Sequence, residues 1–184
     1  EKGILTVGIV TIPFKFEGPN RVNHAVEGID SLRPLVDSLL IINNERLSKI
    51  YGQEDFSVAF KRADNVLLTA AKGIAEVITV HGYINVDFED VKTVMKDSGV
   101  ALMGASYASG EDRALTAIKD ALTSPLLNDN DIKGAKDVLL NITYGNDEIK
   151  MDEIKDITSY IEEAVGDASN IIWGTGKDET LEDE

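Results

Sequence analysis

The segment at residues 4–12, ILTVGIVTI, constrains the fold of this chain more than any other stretch. It consists of aliphatic, β-branched and small residues without polar alternation, and Pro13 ends it. Such a run is typical of a strand buried on both faces, as found in a parallel sheet covered by helices. A second run of the same kind at residues 39–42 is followed by Asn43 and Asn44, which should stop the strand.

Apolar residues at helical spacing separate these strands from the rest of the chain. The pattern that begins at Val22 predicts a helix, which Pro34 should kink or end. A longer pattern over residues 58–81 has apolar side chains three or four positions apart, and Gly82 is well placed to end that helix. At about 1.5 Å per residue this helix would be roughly 36 Å long, so it could act as a strut.

The second half of the chain continues the alternation. Asp87 and Asp90 resemble a capping box that opens a helix running to Lys96, and Ser109 with Asp112 resembles another box. Further strands are predicted at residues 100–107, 138–144 and 171–174, and further helices at residues 114–123 and 151–165, with Gly166 closing the last helix. This alternation predicts an α/β fold with largely parallel strand pairing.

Composition excludes several kinds of function. The 184 residues include 33 acidic and 18 basic side chains, and the formal net charge of −15 disfavours binding to nucleic acid or to an anionic membrane surface. No apolar run approaches the ~20 residues that span a bilayer. The chain has no cysteine, and His24 and His81 are too far apart in sequence for a local site, so we expect no metal site.

The loop that carries Asn85, Asp87 and Asp90 is the sharpest candidate for chemistry, and it has two interpretations. In the first, Asp87 caps the following helix and Asp90 lies favourably near the positive end of the helix dipole. In the second, two carboxylates and an amide orient and polarise a water for attack on a phosphoryl group. Periodicity does not separate the two. The usual cofactor and phosphate loops are absent from the sequence, which disfavours a Rossmann-like metabolic enzyme.

The string GYINVDFEDVKTVM at residues 82–95 resembles the synergy loop of the FtsZ family, the tubulin-like proteins of the bacterial cell-division ring. Four further stretches match the same family in the same order: ILTVGIVTIPFKFEG at residues 4–18, AFKRADNVL at 59–67, ALMGASYASGEDRA at 101–114 and SPLL at 124–127. The resemblance extends along essentially the whole chain. It implies the end of a Rossmann-like GTPase domain, a long central helix and an α/β C-terminal domain.

The resemblance also implies how these parts divide. The family's glycine-rich phosphate loop, GGGTGTG, would lie upstream of Gly3, and the family continues past the final LEDE into another strand. We therefore expect a fragment that binds GTP poorly or not at all and is inactive alone. The implied divisions are the end of the nucleotide-binding domain at residues 1–57, the central helix at 58–81, the synergy loop at 82–91 and an incomplete C-terminal domain at 92–184.

Five residues match the family's nucleotide contacts. Glu17 and Arg21 match residues on the ribose and phosphate side of GTP, and Asn44 matches a contact to the base, although the family usually has proline just before it. Phe60 matches the aromatic residue that stacks on guanine, and Asp64 the carboxylate that accepts hydrogen bonds from two guanine donors, which would reject adenine. Ordinary alternatives are a turn ion pair for Glu17 and Arg21, core packing for Phe60 and a solvated Asp64.

The implied function is a cytoplasmic cell-division GTPase that polymerises head to tail at the mid-cell ring. About 27 Å of helix would separate Asp64 from Gly82, so the resemblance implies that Asn85, Asp87 and Asp90 complete the GTP hydrolysis site of an adjacent subunit. The intact protein should bind GTP or GDP with Mg²⁺, and its partners should be further copies and membrane-tethering division proteins. The alternative is a non-enzymatic filament or scaffold module, in which Asp87 and Asp90 only cap a helix.

Overall fold

The computed structural model describes residues 4–79, 84, 86–124, 132–166 and 170–181. These residues divide between two compact units. The first unit contains the described parts of Glu1–Gly73 and Met95–Met103, and the second contains those of Ile74–Val94, Gly104–Ser124 and Asn130–Glu184.

A three-stranded parallel sheet forms the centre of the first unit. Its strands are β1 (Val7–Ile12), β2 (Ser38–Asn43) and β3 (Gly99–Ala101), with β2 in the middle. Val7 pairs with Ser38 on one side of β2, and Ser38 pairs with Gly99 on the other. The side chains of Leu39, Leu40 and Ile42 are at most 1% exposed, as expected for a central strand covered on both faces. The two predicted strands and their parallel pairing are confirmed, but β1 begins at Val7 and not at residue 4. The predicted burial on both faces is wrong for β1, which is only partly buried with Thr11 exposed, because it lies at the edge of the described sheet.

Two helices of the first unit begin at residues with a clear local cause. Helix α1 (Pro19–Leu32) starts with proline, and Pro34 lies in a short 3-10 turn that follows it, so the predicted end of this helix is confirmed. Helix α2 (Asn44–Tyr51) was not predicted, because its eight residues are mostly polar and bury Leu47 alone. The Asn43 side chain, expected only to stop β2, also accepts a 3.0 Å hydrogen bond from the Glu45 N–H and caps α2.

The long helix α3 (Phe56–Thr79) has 24 described residues. It begins two residues before the predicted start, while the predicted end at His81 and Gly82 lies outside the described residues. Small side chains bring this helix close to its neighbours within the first unit. Ala70 is fully buried against Leu40 and Ile42 of the sheet, and Ala63 lies in a second core cluster.

A parallel strand pair and two helices form the main body of the second unit. Strands β4 (Asp137–Tyr144) and β5 (Asn170–Lys177) are connected by α6 (Met151–Val165), and α5 (Arg113–Leu122) packs beside α6. Both ends of α6 agree with the prediction, and Gly166 ends it with a φ of 107° that favours glycine. Strand β5 extends to Lys177, three residues past its predicted end. The core between the helices consists of Ala114, Ile118, Ile157, Ile161 and Val165.

A buried ion pair also joins α5 to α6. Arg113 donates from Nε to Glu153 Oε1 at 2.8 Å and from Nη2 to Glu153 Oε2 at 3.2 Å. The same guanidinium donates to the carbonyl oxygens of Asp147 and Glu148 at 2.9 and 3.1 Å. The hydrogen bond from Arg113 is the main reason why the pKa of Glu153 lies below its usual value. Arg113 therefore fixes the segment before α6 as well as the start of that helix.

Two local predictions in the second half were wrong. The predicted strand at residues 100–107 stops at Ala101, because β3 pairs with β2 only over three residues. Beyond it the backbone follows α5: Ser106 donates to the Ala117 carbonyl oxygen at 2.5 Å, and Gly104 lies against the Ala121 carbonyl. The predicted capping box at Ser109 and Asp112 does not form, since Asp112 precedes α5 without a side-chain capping bond.

Two properties of the described residues are relevant to function. No helix in those residues is both long and apolar enough to cross a membrane. Within the same part of the chain, no group of three or more His, Cys, Asp or Glu side chains could hold a metal ion.

Candidate functional site

Four aromatic rings in the first unit form a group that we call the phenylalanine cluster: Phe14, Phe16, Phe56 and Phe60. Phe14 is 2% exposed and forms the buried side of the cluster, with its ring centroid 4.9 Å from that of Phe16 and 5.1 Å from that of Phe60. Phe56 and Phe60 are 4.6 Å apart. With Tyr51 the four rings line a cleft of about 180 Å³. Phe16 and Phe56 are 62% and 68% exposed, so the cluster combines a buried base with an open apolar face.

Glu17 and Arg21 are held next to this cluster. Glu17 Oε1 accepts a 3.0 Å hydrogen bond from the Phe14 N–H, and its Oε2 accepts a 2.8 Å bond from Arg21 Nη1. The two residues thus form the turn ion pair that we considered as their ordinary role. The Arg21 side chain is 71% exposed, and a guanidinium has five N–H donors. The pair therefore leaves donors on Arg21 that an anion could use.

Asn44 lies at the start of α2, close to the same turn. The Lys15 N–H donates to Glu45 Oε2 at 3.1 Å, which ties the start of α2 to the segment that carries Glu17. The Asn44 side-chain oxygen is buried and has no hydrogen-bond partner within the described residues. An unpartnered buried acceptor is costly, and a ligand N–H or O–H that reached it would remove that cost. Nucleotide bases and ribose carry such donors, so the observation is compatible with the predicted nucleotide contact of Asn44.

Phe60 and Asp64 lie one turn apart on α3. Phe60 is half-buried and packs against the core cluster that contains Phe14, Leu47 and Ala63, which agrees with its ordinary role as a core residue. Asp64 is exposed and has no hydrogen-bond or ion-pair partner in the part of the chain that the structure describes. The five candidate nucleotide residues therefore lie in one unit, and of these five Phe60 lines the apolar cleft. Their roles in binding remain predictions.

The acidic loop lies in the second unit, at the start of α4 (Phe88–Met95). The Asp90 N–H donates to Asp87 Oδ1 at 2.9 Å, and the Asp87 N–H donates to Asp90 Oδ2 at 3.2 Å. The predicted capping box is confirmed by this reciprocal pair. The second oxygen of each carboxylate, Oδ2 of Asp87 and Oδ1 of Asp90, has no hydrogen bond within the described residues. Asn85 lies outside those residues.

The loop is anchored to β5 by its backbone. The Thr175 N–H donates to the Ile84 carbonyl at 2.9 Å, and the Ile84 N–H donates to the Thr175 carbonyl at 3.4 Å, as an antiparallel bridge. Val86 is 9% exposed, and Val91 on the inner face of α4 is fully buried. This anchor was not predicted from the sequence, although a glycine at the end of a predicted strand, here Gly174, is a signal of close backbone approach.

Family models match both ends of the chain. The model described as "Tubulin/FtsZ family, GTPase domain" matches residues 1–52. The model described as "FtsZ family, C-terminal domain" matches residues 99–184.

Curated relatives and solved structures agree with these matches. The cell division protein FtsZ of Porphyromonas gingivalis is 48% identical over 98% of this chain and 40% of its own length. That of Wigglesworthia glossinidia brevipalpis is 45% identical over 99% of this chain and 47% of its own length. A solved FtsZ dimer from M. jannaschii is 41% identical with a TM-score of 0.89, over 98% of this chain and 52% of that one.

A more distant structure shares only the fold. The TubZ of Bacillus thuringiensis serovar israelensis, solved as GDP-form protofilaments, is 10% identical with a TM-score of 0.71, over 96% of this chain and 50% of that one. The chain thus spans about half the length, or less, of the proteins it matches. Both family models, the curated relatives and the similarity to solved FtsZ agree: this chain belongs to the FtsZ family, with a tubulin-like α/β fold.

Proposed function

We propose that the intact protein is a cell-division GTP hydrolase that assembles head to tail. In this proposal Asp87 and Asp90, with Asn85, complete the GTP hydrolysis site of the next subunit. The observation that carries the proposal is the state of the two carboxylates. Each is fixed by one oxygen in the capping box and keeps a second oxygen without a partner among the described residues.

The first unit would bind the guanine nucleotide. Phe60 offers an aromatic face to the base, and Asp64 is an exposed acceptor one turn further along α3. The unpartnered Asn44 oxygen would accept a donor of the nucleotide. Arg21, held by Glu17, would contact the ribose and phosphate side through its remaining donors. This set discriminates by hydrogen bonding, because a base that lacks guanine's donors would leave the acceptors unpaired.

The acidic loop would act on water. A carboxylate oxygen within hydrogen-bond reach of a water orients it and accepts its proton as it attacks the terminal phosphorus. The capping bonds help here, because they hold both side chains in one orientation before any substrate arrives. Mg²⁺, which would arrive with the nucleotide, would neutralise charge on its phosphates.

The proposed assembly follows from the location of the two sets of residues in different units. The candidate nucleotide residues lie in the first unit and the acidic loop lies in the second. A contact in which one face of a subunit meets a different face of the next does not close, and it propagates as a filament. The FtsZ dimer from M. jannaschii and the TubZ protofilaments are solved relatives that self-associate. We extend the proposal to a cytoplasmic division ring at mid-cell, held by membrane-tethering partners.

The second candidate function is a non-enzymatic filament or scaffold module. The capping box supports this second function, because helix capping alone accounts for the presence of Asp87 and Asp90. A substitution that keeps the cap and removes the charge therefore separates the two functions.

Asp87→Asn and Asp90→Asn in the full-length protein provide this test. Asparagine caps a helix about as well as aspartate at position 87, and at position 90 its side-chain oxygen can still accept from the Asp87 N–H, so α4 should remain formed in both variants. We expect GTP turnover to fall by about 10²-fold or more, while GTP binding and polymer light scattering are retained. Glu89→Gln is the matched control. Glu89 lies in the same turn, its side chain is 76% exposed, and the substitution removes the same charge. Normal turnover in both asparagine variants would leave capping as the only role.

A further inference from the structure

We propose that Gly174 of β5 is a positioning residue for the acidic loop, because only a residue without a side chain lets the loop lie where it does. The inference rests on the proposed function, since it concerns how Asp87 and Asp90 are aimed.

The close approach is visible in the space beside Gly174. A Cβ built on this residue would lie 2.9 Å from Val86 Cγ2, 3.0 Å from the Ile84 carbonyl oxygen and 3.3 Å from the Val86 nitrogen. Two of these three atoms belong to the loop backbone, which has little freedom to move because Ile84 is hydrogen-bonded to Thr175. The side chain of Val86 is itself buried. A methyl group at position 174 would therefore displace the loop.

Backbone conformation does not explain the glycine. Gly174 lies inside β5, opposite Asn141 of β4, and it is not among the glycines with positive φ. Any residue could adopt its strand geometry. What other residues lack is the space next to Ile84 and Val86.

The distance from this contact to the acidic pair is short. Val86 immediately precedes Asp87, whose N–H and carboxylate form half of the capping box. A shift of Val86 therefore moves the first carboxylate directly and the second through the box. Displacement of a catalytic group by about 1 Å can lower a rate by about 10²-fold, so the effect should appear in turnover before it appears in assembly.

The test uses Gly174→Ala in the full-length protein. GTP turnover per subunit is measured at saturating GTP, and polymer mass is measured by sedimentation in the same samples. We expect turnover to fall about tenfold or more, with polymer mass and GTP affinity unchanged. Ile171→Val is the matched control, because Ile171 lies on the same strand but packs against the core between α5 and α6. This control should leave turnover near the wild-type value.

A second substitution separates positioning from a general loss of structure. Val86→Ala removes the methyl group that Cβ of residue 174 would meet first. We expect Gly174→Ala/Val86→Ala to recover turnover several-fold over Gly174→Ala, without full recovery because the Ile84 carbonyl stays in place. If Gly174→Ala does not fold, the double variant Gly174→Ala/Val86→Ala is measured in its place. We expect the double variant to fold and assemble normally and to hydrolyse GTP more slowly than the wild type.

Wild-type turnover in Gly174→Ala, or a loss of turnover that Val86→Ala does not relieve, would overturn the positioning role. These results are distinguishable from failure of the proposed function. If Asp87→Asn abolishes turnover and Gly174→Ala does not, only the positioning role fails. If Asp87→Asn hydrolyses GTP normally, the proposed function fails and the inference fails with it.

Discussion

Replacing Arg113 by methionine should lower the free energy of unfolding of the second unit by about 3 kcal/mol. The side chains of Arg113 and Glu153 are only 9% and 15% exposed, so the substitution leaves a carboxylate with little access to water. It also removes the donors to the carbonyl oxygens of Asp147 and Glu148. Removing one partner of a buried pair costs about 3 to 5 kcal/mol. We expect the lower end, because the Lys150 N–H still donates to Glu153 at 2.8 Å.

The stability lost in Arg113→Met should be larger near neutral pH than in acid. Mainly because Arg113 donates to it, the pKa of Glu153 lies below the ordinary value of 4.5, despite the opposing effect of burial. A carboxyl with a lowered folded-state pKa stabilises the fold above its unfolded-state pKa, and that contribution is lost as pH falls through the folded-state value. The difference between the wild type and Arg113→Met should thus be complete near neutral pH and shrink below pH 4.5.

Urea unfolding followed by tryptophan fluorescence measures the free energy of unfolding of the second unit, which contains Arg113. Trp173 is the only tryptophan of the chain and lies in β5. Asp147→Asn is the control: its carboxylate lies 3.5 Å from Arg113 Nη1, but its side chain is 66% exposed. That variant should cost less than about 1 kcal/mol. The reasoning is refuted if Arg113→Met costs no more than the control, or if its cost is the same near pH 7 and near pH 3.

Two further predictions concern the nucleotide and a helix end. Asp64→Asn in the full-length protein should reduce the preference for GTP over ATP about tenfold or more, measured by competition binding; an unchanged preference would leave Asp64 as a solvated helix residue. Gly166→Ala should lower stability by about 1 to 3 kcal/mol, because its φ of 107° strains any side chain. Gly28 lies in α1 with open space around it, so Gly28→Ala should instead raise stability by up to about 1 kcal/mol. Equal unfolding temperatures for Gly166→Ala and Gly28→Ala would contradict this prediction.

Elements with strong periodicity and an explicit stop signal could be predicted from the sequence. Helix α6 has apolar residues on one face and Gly166 after it, and both of its ends were predicted correctly. Pro34 likewise marks the end of α1. The capping box of Asp87 and Asp90 was predictable because it depends on residues three positions apart. Local signals of this kind require no knowledge of the tertiary structure, but they are not sufficient, because the same spacing at Ser109 and Asp112 formed no capping box.

Features that depend on distant partners could not be predicted in the same way. Whether the segment after Ala101 continues as a strand depends on whether another strand lies beside it, and α5 is its neighbour instead. Helix α2 is short and polar, so its cap at Asn43 was the only local signal. The anchor of the acidic loop joins Ile84 to Thr175, which are far apart in sequence. For the candidate nucleotide residues, only the family resemblance singled out these positions.

The pairing of β2 with β3 also governs how this polypeptide can be synthesised and divided. Ser38 pairs with Gly99, and the stretch Ile74–Val94 between them belongs to the second unit. A nascent chain therefore cannot pair β2 with β3 until β3 has left the ribosome, long after β1 and β2 have emerged. A gene cut after Gly73 would encode a product whose central strand has a bare edge, a template for aggregation. No single breakpoint in the coding sequence of these 184 residues separates the two units.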